Sequence, residues 1–292
     1  MNRSQVLTSN ARQRVPPIGI VLLAGMMVVM LAGCGPAQPA PDVAIAYVWD
    51  YRTGDYVRGT PTYNEGVVYV GSDDNSLHAV DASSGEPLWS FETVDNVTSS
   101  PLAADNTVYF GSWDGNLYAL DARDGDQQWQ YETGGWLTAS PVISDGVLYI
   151  GSHDGSLYAL GAEDGAPMWR YPTDGRIEAG AALAGTSVFF GSSDNHIYAL
   201  DAASGGLQWR HRTGGDIVST PAMDKDTLYV GSVDRKLYAL DAATGQARWV
   251  FEADHAIESS PAVADGVVYF GANDGRLYAL RTSDGRPVWQ HQ

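Results

Sequence analysis

Short runs of apolar residues, four or five long, alternate along the chain with clusters of Gly, Asp, Asn and Ser. Runs of that length, rich in Val, Ile, Leu and Tyr and bounded by turn residues, predict β-strands rather than helices. The pattern has a strict period of 40 residues without insertions. An aromatic recurs at Tyr69, Tyr109, Tyr149, Phe189, Tyr229 and Tyr269, and a glycine follows two residues later, from Gly71 to Gly271. An aspartate recurs from Asp74 to Asp274, and Leu-Tyr-Ala-Leu recurs as at 117–120 and 277–280. Each unit divides into four strands. Strand A follows a Ser/Thr-Pro pair, strand B holds the aromatic (Val147-Leu148-Tyr149-Ile150), strand C is Leu-Tyr-Ala-Leu, and strand D carries a tryptophan. The Asp-Gly and Asp-Asn pairs between strands suit type I′ hairpin turns, which require positive φ.

Four antiparallel strands per 40 residues, repeated six times, predict an all-β fold, a β-propeller of six four-stranded blades. One blade cannot bury both of its faces, and stacking blades around an axis does so. Trp49, Trp89, Trp129, Trp169, Trp209, Trp249 and Trp289 are expected to dock between neighbouring blades. The D-type strand occurs seven times, because Val48-Trp49-Asp50 precedes the first unit. Residues 45–52 are therefore expected to add to the last blade and latch the ring. A seven-bladed ring with one incomplete blade is the alternative.

Ahead of the repeats the pattern changes. Residues 1–14 carry three arginines and no acid, residues 18–32 are almost wholly apolar, and Leu31-Ala32-Gly33-Cys34 follows. A basic start, a short apolar stretch and small residues at a cleavage site predict a secretory signal peptide over 1–33. The stretch is short for a membrane span, which needs about 20 residues. An uncleaved anchor with an incidental cysteine is the alternative. Residues 34–44, rich in Pro and Ala, read as a semi-extended tether, and 45–292 as the propeller.

Composition agrees with many short strands joined by tight turns, with 33 glycines, 16 tyrosines and 9 tryptophans. The net charge is −18, and removal of the signal peptide leaves 14 basic against 35 acidic residues. That balance excludes a nucleic-acid-binding role, which needs a basic face. Cys34 is the sole cysteine, so no intramolecular disulfide can form.

The segment Ala199-Leu-Asp201-Ala-Ala-Ser204-Gly205-Gly-Leu-Gln-Trp209 resembles the tryptophan-docking motif of quinoprotein-type (PQQ-like) repeats. The resemblance covers about 59–290. Gly161 and Arg281 stand where the motif has Asp, and Gly180-Ala181 replaces one Ser-Pro pair. Leu31-Ala32-Gly33-Cys34 resembles a lipobox, which implies that Cys34 is lipidated and becomes the new N-terminus. One branch of the family, the PQQ-dependent dehydrogenases, implies eight blades, a vicinal disulfide and calcium beside a catalytic aspartate. This chain has six units and one cysteine. The other branch, BamB-type outer-membrane assembly lipoproteins, implies an eight-bladed, cofactor-free scaffold. Motifs of this kind specify the fold, and function has to be argued from a site.

Catalytic signatures are missing. No G-x-S-x-G elbow or G-x-G-x-x-G loop occurs, and Lys225 and Lys236 are the only lysines, which excludes a Walker loop. The six histidines lack zinc spacing. No catalytic residue, metal or cofactor is therefore expected, PQQ included. Asp121-Ala-Arg-Asp124-Gly-Asp126 reads as a strand C–D turn rather than a calcium loop. The aspartate at 74 and its repeats is expected to bond its own turn.

Where the repeats disagree, function can sit. Strands alternate in direction, so the B–C and D–A loops share one face. There blades 2 and 3 are expected to bring together Trp113, Trp136, His153, Arg176 and Glu178, the two tryptophans being the only ones off register. Trp and Arg are enriched at binding hot spots, so this patch is the candidate site. The expected function is a lipid-anchored scaffold with an envelope protein partner, in particular outer-membrane assembly machinery. The rivals are a ligand-binding sensor propeller and, third, a PQQ-dependent dehydrogenase. The expected location is exported and membrane-attached, at the periplasmic face of an outer membrane or the outer face of a single membrane.

Overall fold

Valine, aromatic and leucine residues at strand spacing form the expected hairpins in every repeat. The computed structural model describes residues 48–292. The signal peptide, Cys34, the tether and residues 45–47 lie outside the described residues. Residues 53–292 form one unit, separate from an N-terminal unit that ends at Arg52. In blade 1, Thr62–Asn64, Val67–Ser72, Ser76–Asp81 and Pro87–Glu92 are strands A to D, paired antiparallel in that order. Five more sheets repeat this order, ending with blade 6 at Ala262–Ala264, Val267–Ala272, Arg276–Arg281 and Pro287–His291. The fold is a six-bladed β-propeller in which each blade is built from a single repeat.

The turns divide into two kinds. At Asp145-Gly146 both residues have positive φ, 51° and 74°, as a type I′ A–B turn requires. The B–C turns depart from that expectation. In blade 3 only Gly155 is left-handed, and its N–H donates to the Ser152 carbonyl, 3.1 Å. The Ser152 N–H in turn reaches the Ser156 carbonyl, 3.0 Å, so a longer turn with one left-handed residue replaces the two-residue one. A bulge then shifts the C–D register in each blade, between Ala159 and Leu160 in blade 3, which adds to the strand twist.

The core lies between blades. At the junction of blades 3 and 4, Tyr149, Leu157, Ala159 and Ile177 meet Val188, Phe190, Tyr198 and Leu200. The Trp169 indole N–H and the Tyr149 hydroxyl both donate to the Ala202 carbonyl, each at 3.0 Å. One carbonyl oxygen can accept both. The indole covers Gly205, where a Cβ would come within 2.7 Å of the ring. Trp89, Trp129, Trp209 and Trp249 repeat this against Ala122, Ala162, Ala242 and Thr282.

Ring closure departs from the expectation. Residues 48–52 carry no strand, and every sheet stops at four strands among the described residues. Among the described residues no fifth strand joins the last blade, and residues 45–47 of the expected latch lie outside them. Among the described residues no further blade or strand packs on the outward face of blade 6. Leu277 is 45% exposed, whereas its counterparts Leu77, Leu117, Leu157, Ile197 and Leu237 are fully buried. Trp289 is 43% exposed, and among the described residues no turn glycine or carbonyl of another blade meets it as Gly205 and Ala202 meet Trp169.

Candidate functional site

The loop entering each blade is tied to the B–C turn of the same blade. The His153 N–H donates to the Trp136 carbonyl, 2.9 Å, and the Trp113 and Ser193 N–H groups bond Asn96 and Arg176 in the same way. The repeated aspartate completes the tie. Asp154 accepts the Ser156 N–H at 2.9 Å, the Gly134 N–H at 3.2 Å and the Tyr158 hydroxyl at 2.5 Å. Burial opposes ionisation of Asp154, but bonds from Tyr158 and Ser156 outweigh it and hold the carboxyl below the usual carboxylate range. Tyr158, buried and facing that carboxylate, is pushed up to about 12. The six-fold aspartate is thus a structural clamp that fixes the rim carrying the variable residues.

On that rim the side chains at 73 and 58, and their repeats, meet in pairs that differ from blade to blade. The Arg58 guanidinium bonds Asp73 at 2.7 Å, the Trp113 indole N–H bonds the Thr98 hydroxyl at 2.7 Å, and Asn273 bonds Glu258 at 2.8 Å. In blade 3 the Thr138 hydroxyl donates to the Glu178 carbonyl, 3.1 Å, and lies 2.9 Å from His153 Nε2. With its one proton committed, Thr138 can only accept, so His153 carries its proton on Nε2. Burial pushes the His153 pKa down, the Glu178 charge opposes that and the Arg176 charge adds to it. The ring is therefore neutral at pH 7.

The structure brings the five sequence-predicted residues onto one rim. Trp113 and Trp136 stack face to face, with centroids 4.7 Å apart and planes 6° apart. Trp136 in turn leans on His153, at 5.7 Å and 41°. Arg176 and His153 line a shallow pocket of about 200 Å³ together with Asp154, Thr173 and Asp174. The Ser193 hydroxyl approaches the Glu178 carboxylate, 3.5 Å. Trp113 is pinned by its hydrogen bond, whereas Trp136 is 47% exposed. An indole held by its inner face and open on the other is a ready hydrophobic contact.

Sequence reasoning passed over Thr98 and Thr138, which orient Trp113 and His153. Their 15-residue spacing from those partners was the available signal. It also passed over the Tyr56–Arg58–Asp73 group of blade 1, in which the guanidinium lies 5.4 Å from the Tyr56 ring. Among the described residues, no three His, Cys, Asp or Glu side chains converge as a metal site.

A family model described as outer membrane protein assembly factor BamB matches residues 46–139, 134–219 and 214–292. Among solved structures the chain is similar to BamB from Moraxella catarrhalis, with 22% identity, a TM-score of 0.74, and coverage of 84% of this chain and 76% of that one. It is similar to a europium-containing methanol dehydrogenase at 14% identity and TM-score 0.74, over 85% of this chain and 72% of that one. The computationally designed Ika8 protein matches at 17% identity and TM-score 0.55, over 81% and 87%. At these identities the structural likenesses show the fold. No curated protein matches the chain.

Proposed function

The chain belongs to the family of outer membrane protein assembly factor BamB, and from that premise we propose that it is a non-catalytic scaffold that holds an envelope protein partner. The observation that carries the reading is the Trp113–Trp136 stack, whose Trp136 is exposed on the one rim where the repeats disagree. Partner recognition rather than chemistry fits the surroundings. His153 and the rim carboxylates are engaged in hydrogen bonds that hold the loops, and the function requires no cofactor. The basic start, apolar run and Leu-Ala-Gly-Cys34 support export and lipid attachment at Cys34. In a host with two membranes the partner is outer-membrane assembly machinery.

The test is crosslinking in the native envelope with Trp113→Ala/Trp136→Ala. Loss of a Trp hot spot costs about 2 kcal/mol or more, so partner recovery should fall by about 30-fold with the melting temperature nearly unchanged. Recovery of every partner at the wild-type level removes the reading.

A further inference from the structure

The rim pair of blade 1 differs from its neighbours in what it leaves over. In blade 2 the one N–H of the Trp113 indole is spent on Thr98, and in blade 3 the one N–H of the neutral His153 ring is spent on Thr138. Arg58 has five N–H donors and spends only Nε, on Asp73 Oδ2 at 2.7 Å. Among the described residues its two terminal nitrogens make no hydrogen bond or ion pair.

The guanidinium is nevertheless fixed in place. Asp73 lies buried behind it, with 8% of its side chain exposed against 58% for Arg58. The other Asp73 oxygen is covered and has no hydrogen-bond partner, so Arg58 is the group that compensates this carboxylate. The Tyr56 ring lies 5.4 Å from the guanidinium carbon, and the Tyr56 carbonyl accepts the Asp73 N–H at 2.8 Å. An aromatic face and a carboxylate together set the plane of a guanidinium. The edge that carries the two terminal nitrogens is left to face outward.

This group is continuous with the tryptophan stack. Gly59 packs on blade 2, where a Cβ would come within 2.8 Å of the Ser99 carbonyl oxygen and 2.9 Å of the Thr98 one. The Thr60 N–H donates to the Ser100 hydroxyl at 2.8 Å. Thr98 in turn holds Trp113, and Trp113 stacks on Trp136. Arg58 and Trp136 therefore sit on one connected stretch of rim, and a preorganised donor gives up little freedom on binding.

Resting on the scaffold reading, we infer that the envelope protein partner that packs on Trp136 also places an Asp or Glu side chain on Arg58. A planar carboxylate matches the two N–H groups that the guanidinium offers side by side. Tyr56, 71% exposed, adds an aromatic contact next to it. Asp73 already neutralises the charge of Arg58, so the site acts at contact range and selects a partner rather than steering it from afar. Continuity with the stack favours a protein carboxylate over a lipid phosphate, which the same fork would accept.

The test places a photoreactive phenylalanine at Tyr56 and, separately, at Trp136 of the full chain in the native envelope, and maps the captured peptides by mass spectrometry. Both positions should capture the same protein, and the segment captured from 56 should hold an Asp or Glu. Changing that acid to its amide should lower capture from 136 by about tenfold, the effect of one charge-assisted pair. Arg58→Lys, which keeps a charge beside Asp73 but not the planar fork, should do the same, and the two changes together should cost no more than either alone. Arg58→Ala/Asp73→Ala removes the pair without leaving a buried charge behind, and should lose capture equally while melting near the wild type. Capture from 136 with none from 56, or an unchanged yield from 136 in either Arg58 variant, overturns the inference and leaves the scaffold reading standing. A captured segment without an acid overturns it as well, and phospholipid captured at 56 overturns it in favour of a membrane contact. No capture from either position removes the scaffold reading itself, and the inference with it.

Discussion

Replacing Trp169 with alanine lowers the stability of the propeller by about 3–5 kcal/mol, whereas replacing Trp289 costs less than about 1 kcal/mol. The two residues hold the same position in their repeats and differ in what covers them. A docked indole buries on the order of 150–250 Å². At about 25 cal/mol/Å² that is roughly 4–6 kcal/mol gross, an upper bound. Trp169 also donates to the Ala202 carbonyl across the junction and shields the left-handed Gly205. Its removal opens a cavity between two blades that their shared core keeps from collapsing. Trp289 packs on Tyr269 and pairs with Ala279 within its own blade, and it is 43% exposed. Chemical denaturation of the two variants measures the contrast. A Trp169→Ala shift below about 1 kcal/mol would contradict junction-borne stability.

Gly191→Ala is the second severe change, although it adds one methyl group. A Cβ there would stand 1.9 Å from Ile217 Cγ2 and 2.5 Å from Ile217 Cβ. Ile217 is fully buried among Leu228, Val230 and Tyr238 and has nowhere to retreat. Overpacking of this kind costs about 1–3 kcal/mol, and the close approach places Gly191→Ala at the top of that range. For a domain of this size 1 kcal/mol moves the melting temperature by about 2–4 °C, so a drop on the order of 5–10 °C is expected. Gly271→Ala meets only ordinary contact at 3.7 Å and should melt within about 2 °C of the wild type. Equal losses at the two glycines would mean that the close contact over Gly191 has no part in joining blades.

Strand content and blade number were legible because both rest on local chemistry. Val147-Leu148-Tyr149-Ile150 can be little but a buried strand, and Asp145-Gly146 supplies the two left-handed residues of its turn. The B–C turns were misread because Asp154-Gly155 looks like the same dipeptide, while Ser152 and Asp154 capture the backbone and lengthen the turn. Closure was not legible for a different reason. Gly271, Leu277 and Trp289 are ordinary members of their repeat positions, so the period reads as though the junctions ran on unbroken. The period shows which residues belong at a junction, but the angle between blades is set by packing over the whole junction, and the five angles accumulate. At the candidate site Trp113 and Trp136 stood out as off-register aromatics, and the structure stacks them. Thr98 and Thr138 did not stand out, since a loop threonine shows its role only when its partner 15 residues on comes within hydrogen-bond reach.

The most direct test of the central claim, that the variable rim at blades 2 and 3 holds the partner, is photocrosslinking in the native envelope. A photoreactive residue is placed at Trp136 and, as the control, at Ala256, the same loop position in blade 6. Crosslinking of an envelope protein from position 136 and none from position 256 is the predicted result. Equal capture from both positions, or capture from 256 alone, would contradict it.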